Sequence, residues 1–125
     1  MILDTNALSA VTDYDREIIV PLSKAKQLAI TIISLGEISY GIKSSRYQKQ
    51  PTSWLSEFLK RTQILYLDLE SIRHYAQIHT TLKKSGTPIP ANDCWIAALA
   101  RQHRMSVLTR DRHFECVSDI KVLTW

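Results

Sequence analysis

The sequence predicts an α/β fold in which a parallel sheet of about five strands is covered by helices on both faces. The first observation behind this prediction is that short apolar runs rich in β-branched residues recur along the chain. The second is that longer segments with helical periodicity separate these runs, which favours helical crossovers between parallel strands. The predicted strands are Met1–Asp4, Leu28–Ile33, Ile64–Leu67, Val107–Thr109 and Val122–Trp125.

Helical patterns fill most of the chain between these strands. Leu55 and Leu59, for example, share one face of such a pattern. Pro21 interrupts or starts the first helical segment, and Gly86 and Pro90 mark the turn before the last one. The predicted helices are about Arg16 to Lys26, Ser34–Ser45, Thr52–Arg61, Ser71–Ser85 and Ile89–His103.

Length and composition predict a single domain, residues 1–125, with one sizeable apolar interior. The chain has 125 residues, of which 45% are hydrophobic. No run of about 18 apolar residues could cross a membrane, and the start MILDTN lacks the pattern of a signal peptide. We therefore expect a cytoplasmic protein in which Cys94 and Cys116, which form no CxxC pair, are ordinary thiols.

Four carboxylates fall where such a fold collects ligands, at the carboxyl ends of its strands. Asp4 ends the first predicted strand, and Asp111 follows the fourth. Glu37 lies early in the helix after the second strand, and Asp93 lies in the first turn of the helix that Pro90 opens. Two carboxylates ~5 Å apart repel by roughly 3 kcal/mol at an effective dielectric of ~20. Four together therefore predict a divalent cation with oxygen ligands, Mg²⁺ or Mn²⁺.

Each acid also has a simpler interpretation. Asp4 could cap the helix that follows it, and Ser34 with Glu37 matches the spacing of a capping box. Asp93 could favour the positive end of its helix dipole, and Asp111 could lie in a turn or cap. The convergence of all four acids on one predicted edge of the sheet favours a single site over four separate caps.

Four motifs contain these acids: ILDTN (2–6), SLGEISYGI (34–42), PIPANDCWIAALA (88–100) and LTRDRHF (108–114). As an ordered set they resemble the signature of PIN-domain ribonucleases, the VapC-type toxins of type II toxin–antitoxin systems. The resemblance implies a PIN-like α/β/α sandwich around a parallel sheet of about five strands, dependence on Mg²⁺ or Mn²⁺, and cleavage of RNA. It also implies a homodimer and neutralisation by a VapB-like DNA-binding antitoxin, which contacts a helical pair within Ile38–Tyr66.

Residue by residue, the resemblance implies that the four acids are both the metal ligands and the catalytic residues. Small polar residues beside them are expected to orient the ligands or to hold metal-bound water. The acids are Asp4, Glu37, Asp93 and Asp111, and the supporting residues are Thr5, Asn6, Ser34, Asn92 and Thr109.

Basic side chains near the acids are candidates for contacts with substrate phosphates. The net charge of +4 is compatible with nucleic-acid binding, although many proteins of this charge bind none. Surface charge is therefore the alternative for each candidate. The candidates are Arg110, Arg112, His113, Lys43 and Arg46.

The function predicted from these features is that of a metal-dependent endoribonuclease, with metal-activated water hydrolysing phosphodiester bonds in transfer or ribosomal RNA. One alternative is a regulatory module that binds metal or RNA without turnover. Another is a nuclease acting on single-stranded or flapped DNA, because recognition of the 2′-hydroxyl depends on groove geometry.

Overall fold

The computed structural model describes residues 1–44 and 52–125. Within them, five parallel strands form one sheet in the order β3-β2-β1-β4-β5. This confirms the predicted parallel sheet with helices on both faces. The strands are β1 (Ile2–Leu3), β2 (Ala29–Thr31), β3 (Gln63–Leu65), β4 (Val107–Leu108) and β5 (Val122–Leu123).

Six α-helices and one short 3₁₀ helix are found in the described residues. Every predicted helix is present, with shifted ends. The helices are α1 (Thr5–Thr12), α2 (Ile19–Ser23), α3 (Ile32–Ser44), α4 (Thr52–Lys60), α5 (Leu69–Lys84) and α6 (Ala91–His103), and the 3₁₀ helix is Arg112–Cys116.

Alternate residues of each strand enter two different apolar clusters, one on each face of the sheet. Ile2 and Val107 pack with residues of α5 and α6, whereas their neighbours Leu3 and Leu108 pack with residues of α1, α3 and α4. Side chains of a strand point alternately to its two faces, so a continuous apolar run fits a sheet that is covered on both sides. The result is three layers, with the sheet in the middle.

Several predicted boundaries were wrong, and two of them have a local explanation. Helix α3 begins at Ile32, inside the predicted strand Leu28–Ile33, because the Thr31 hydroxyl accepts a hydrogen bond from the backbone N–H of Ser34 at 3.0 Å and so caps the helix. Helix α2 covers only five of the residues predicted from Arg16 to Lys26. Pro21 lies in its first turn, where the missing N–H costs no hydrogen bond.

The two cysteines and the apolar character of the helices were also predicted from the sequence. Cys94 is buried, Cys116 is exposed, and both are free thiols, as predicted. None of the helices in the described ranges has the length and apolar character that a membrane crossing requires.

Candidate metal centre and active site

The four predicted acids approach one another at the carboxyl ends of β1 and β4, the two central neighbours in the sheet. The strand order reverses at this point, since β2 and β3 lie on one side of β1 while β4 and β5 lie on the other. Parallel sheets leave a crevice at such a switch point. Asp4 follows β1 and Asp111 follows β4, while Asp93 is in the first turn of α6.

The Asp4 carboxylate is the buried centre of the cluster. The residue is 3% exposed, and its Oδ2 accepts hydrogen bonds from the Thr109 hydroxyl at 2.8 Å and the Asn6 amide at 2.9 Å. Burial raises the pKa of Asp4 to about 6, against the lowering effect of the Thr109 hydrogen bond. The negative charges of Asp93 and Glu37 raise this pKa further. Asp4 occupies the N-cap position of α1 but makes no side-chain cap bond, so the simple cap interpretation is wrong.

Glu37 is held by hydrogen bonds to both of its carboxylate oxygens. Oε2 accepts from the Thr5 hydroxyl, and Oε1 accepts from the Asn92 amide at 2.8 Å. The capping-box interpretation of Ser34 and Glu37 is therefore wrong, because α3 starts before Ser34 and Thr31 is its cap. Ser34 is fully buried, and its hydroxyl lies 3.0 Å from that of Thr31. Among the described contacts of Ser34, the predicted link to an acid is not found.

Asp93, Asp111 and His113 form the exposed side of the cluster. The Nδ1 atom of His113 lies 3.0 Å from Asp93 Oδ2 and 3.1 Å from Asp111 Oδ1. Burial raises the pKa of Asp93, the hydrogen bond from His113 opposes this shift, and the charge of Asp111 adds to it. Asp111 also caps the 3₁₀ helix by accepting from the backbone N–H of His113 at 2.9 Å. The cap interpretation of Asp111 is therefore confirmed, and it leaves the predicted site role of the other carboxylate oxygen open.

Thr109 and Asn6 connect the two strand ends that carry Asp4 and Asp111. The Thr109 hydroxyl accepts from the Asn6 amide at 3.0 Å and from the backbone N–H of Asp111 at 2.9 Å, while it donates to Asp4. Asn6 Oδ1 accepts from the backbone N–H of Arg110 at 3.1 Å. A buried network of this kind fixes the direction in which each carboxylate points.

Arg110 is held on the outer side of the site. Its guanidinium lies 2.8 Å from Glu17, 3.5 Å from Asp15 and 4.4 Å from the centre of the Trp125 ring. The predicted phosphate contact of this side chain would therefore require these ion pairs to break.

The remaining predicted basic contacts differ in their surroundings. The side chain of Arg112 is 89% exposed, with the Glu115 carboxylate 3.9 Å away. Lys43 is exposed in the last turn of α3, and Arg46 lies outside the described residues. His113, predicted as a phosphate contact, instead faces two of the acids. Its position two residues after Asp111 places it near the acids, but the direction of its ring depends on the 3₁₀ turn and could not be predicted from the sequence.

The donor set fits a divalent cation. One ligand atom each from Asp93, Asp111 and His113 lies within 4.8 Å of the other two. Burial is the largest cause of the raised pKa of Asp4 and of Asp93, and the charges of neighbouring carboxylates add to both. Carboxylate oxygens are the ligands that Mg²⁺ and Mn²⁺ prefer. A cation at this edge would offset the repulsion among these carboxylates.

The family model of the PIN domain matches residues 1–120. With this match and the parallel sheet described above, the chain belongs to the PIN domain family. Within the family it is of the VapC type. Ribonuclease VapC2 of Rickettsia felis is 29% identical over 105 residues, which are 83% of this chain and 78% of that protein. The tRNA(fMet)-specific endonuclease VapC of Salmonella typhimurium is 29% identical over 100 residues, 79% of this chain and 76% of that protein.

Solved structures of VapBC complexes contain chains with the same fold. The VapBC2 complex of Rickettsia felis, bound to a DNA fragment from its promoter, matches with a TM-score of 0.87 at 26% identity and covers 99% of this chain and 97% of that chain. DNA-bound VapBC of Salmonella typhimurium matches with a TM-score of 0.87 at 27% identity and covers 99% and 96%, respectively.

Proposed function

We propose that this protein is a divalent-metal-dependent endoribonuclease that acts as the toxin of a type II toxin–antitoxin module. The observation that carries the proposal is the convergence of the buried Asp4 carboxylate with Glu37, Asp93 and Asp111 at the switch point of the sheet. The names of the VapC relatives, ribonucleases and a tRNA endonuclease, support hydrolysis of RNA.

The four acids are the proposed ligands of Mg²⁺ or Mn²⁺. When bound, such an ion supplies Lewis-acid stabilisation of charge on phosphate oxygens and a water of lowered pKa. The surrounding residues hold the ligands in place: Thr5 and Asn92 orient the two oxygens of Glu37, and Asn6 and Thr109 orient Asp4. The acids themselves disfavour the approach of polyanionic RNA until a cation neutralises them.

The proposed substrate is a transfer or ribosomal RNA with an accessible loop. Cleavage needs a phosphodiester that can enter the crevice beside Asp4, and unpaired nucleotides expose their backbone more freely than a helix does. The exposed cations Arg112 and Lys43 are the proposed contacts for flanking phosphates in the described part of the chain.

The proposed partner is a small VapB-like antitoxin, and the protein is proposed to form a homodimer in the cytoplasm. The matching solved structures are VapBC complexes, which supports the partner. Tyr40 of α3, inside the predicted antitoxin-binding segment Ile38–Tyr66, is 74% exposed. Exposed aromatic side chains of this kind are common anchors at protein interfaces.

The enzyme proposal is tested by substituting two acids from different elements. Asp4→Asn and Asp93→Asn each remove one charged ligand while keeping the size of the side chain. Loss of a residue that only hydrogen-bonds to a metal ligand costs roughly 10- to 100-fold in activity. Each variant loses a proposed ligand itself, so we expect cleavage of purified transfer and ribosomal RNA to fall by more than this. The assay uses the full chain with Mg²⁺ or Mn²⁺, and a chelator is expected to abolish cleavage by the unsubstituted protein.

The matched control is Asp119→Asn. Asp119 is exposed and lies before the amino end of β5, whereas the acids lie at the carboxyl ends of the strands. Its φ is 64°, a value that asparagine adopts readily. This variant should cleave RNA like the unsubstituted chain. Undiminished cleavage by Asp4→Asn or Asp93→Asn would refute the site, and cleavage of single-stranded DNA instead of RNA would refute the substrate.

The cellular target is identified by mapping the new 5′ ends of RNA after brief expression. Ends clustered in one transfer RNA loop or one ribosomal loop are expected, together with growth arrest. Both should disappear in Asp93→Asn. A non-catalytic binding module would arrest growth with and without this carboxylate and leave no new ends.

A further inference from the structure

His113 brings an imidazole ring close to the acid cluster. Its Nδ1 atom lies 3.0 Å from Asp93 Oδ2 and 3.1 Å from Asp111 Oδ1. The imidazole therefore approaches two proposed metal ligands through one and the same atom.

These distances fit adjacent corners of one coordination sphere. Neighbouring ligands of an octahedral ion with bonds of about 2.1 Å are about 3.0 Å apart. The Nδ1–oxygen separations agree with that spacing, and all three ligand atoms lie within 4.8 Å of one another.

The backbone around His113 is held in place on both sides of the residue. Asp111 accepts from the backbone N–H of His113, and this bond starts the 3₁₀ helix Arg112–Cys116. Phe114, the next residue, is fully buried and anchors the helix in the core beneath. The ring is thus presented by a turn that is fixed at both ends, while its side chain keeps 48% of its surface exposed.

We propose that His113 is a nitrogen ligand of the catalytic cation, beside the four acids, and that it biases the site towards Mn²⁺ over Mg²⁺. This inference rests on the proposed metal-dependent function. Mg²⁺ is a hard ion that prefers oxygen ligands, whereas transition-metal ions accept imidazole nitrogen as well. One imidazole in a carboxylate site therefore raises the affinity for Mn²⁺ relative to that for Mg²⁺.

The test is spectroscopic and does not depend on turnover. Mn²⁺ is added to the full chain, and pulsed electron paramagnetic resonance measures hyperfine coupling between the ion and a histidine nitrogen. Coupling is expected in the unsubstituted protein and should be lost in His113→Asn. Removing even a hydrogen-bond partner of a metal ligand costs about 10- to 100-fold in affinity. The Mg²⁺ concentration that displaces Mn²⁺ should therefore fall about tenfold or more in this variant.

His103→Asn is the control, because His103 is exposed at the end of α6, away from the acids. It should keep both the coupling and the displacement curve, and thermal unfolding should show that both variants are folded. Nitrogen coupling that persists in His113→Asn, or bound Mn²⁺ without coupling in the unsubstituted chain, would overturn the assignment of His113 while leaving the carboxylate site intact. Absence of Mn²⁺ binding by the unsubstituted protein would overturn the proposed function as well.

Discussion

At the scale of single residues, Thr109 does the most to shape the site without being a proposed ligand. Its hydroxyl forms hydrogen bonds with two of the acidic residues: it donates to the Asp4 side chain and accepts from the backbone N–H of Asp111. It also accepts from the Asn6 amide. Because the residue is 2% exposed, water cannot easily replace any of these bonds.

Replacing Thr109 by valine keeps the shape of the side chain but removes its hydroxyl. We expect the unfolding free energy to fall by about 1–3 kcal/mol, since the Asp111 N–H loses its acceptor and the Asn6 amide loses one of two acceptors in a buried place. We also expect metal affinity and RNA cleavage to fall by about 10- to 100-fold, because Asp4 and Asp111 lose their orientation. Chemical denaturation and metal titration measure the two effects.

Thr109→Ser retains the hydroxyl and is the control for that comparison. It should bind metal almost like the unsubstituted chain. Equal metal affinities for the valine and the serine variant would contradict the orienting role of the hydroxyl.

The four acids could be predicted as a group because each lies at or just after a pattern visible in the sequence, the end of an apolar run or the start of a helix. The position of His113 could not be predicted in the same way. It depends on the 3₁₀ turn after Asp111, and the sequence gives no periodicity over so few residues. The ion pairs of Arg110 with Asp15 and Glu17 join segments far apart in the chain, so local pattern could not predict them either.

At the scale of secondary-structure elements, the junction of β2 and α3 shows how local chemistry overrides propensity. Ile32 and Ile33 extend an apolar β-branched run, which predicts strand. The Thr31 hydroxyl instead accepts from the N–H of Ser34, so the helix starts directly after Thr31. The early start places Glu37 more than a turn into α3, where it meets Thr5 and Asn92 rather than the helix end.

Thr31→Val removes this cap while preserving the buried β-branched shape. We expect a loss of about 0.5–2 kcal/mol in unfolding free energy, the usual cost of losing an N-cap hydroxyl. RNA cleavage should weaken too, because the start of α3 sets the position of Glu37. Denaturation and cleavage rates check the two effects, with Thr31→Ser as the variant that keeps the cap. A valine variant as stable as the serine variant would show that the hydroxyl does not determine where α3 begins.

At the scale of the whole molecule, the strand order places the four acids at one edge. The parallel sheet and its helices on both faces could be predicted, because alternating strand and helix patterns allow few other arrangements. The order β3-β2-β1-β4-β5 could not be predicted from local patterns. Two helices separate β3 from β4, and local patterns do not indicate which strand β4 pairs with after them. Pairing of β4 with β1 is what brings Asp111 to Asp4.

The stability of the whole molecule should depend on pH through Asp4. Its pKa rises from 3.8 to about 6 on folding, mainly through burial, so the folded chain holds the proton more tightly than the unfolded chain. The resulting stabilisation is fully present below pH 3.8 and is lost as the pH rises through about 6. At 1.36 kcal/mol per pKa unit, the metal-free protein loses roughly 3 kcal/mol over this interval. The raised pKa of Asp93 acts in the same direction.

Asp4→Asn removes the Asp4 part of this pH dependence. In a chelator, we expect the variant to be more stable than the unsubstituted chain near pH 7.5 and to lose that advantage near pH 4, with a change of up to roughly 3 kcal/mol. Adding Mn²⁺ at the higher pH should stabilise the unsubstituted chain more than the variant. Urea denaturation at both pH values measures these differences. A stability difference that is the same at both would contradict the burial of an ionised Asp4.

The pairing of β4 with β1 also affects when the protein acquires its chemistry. Asp4 and Thr109 are separated by 105 positions, yet the bond between them joins the first strand to the fourth. A ribosome adds Asp111 long after Asp4, so a growing chain lacks one of the proposed metal ligands until this later segment has been synthesised.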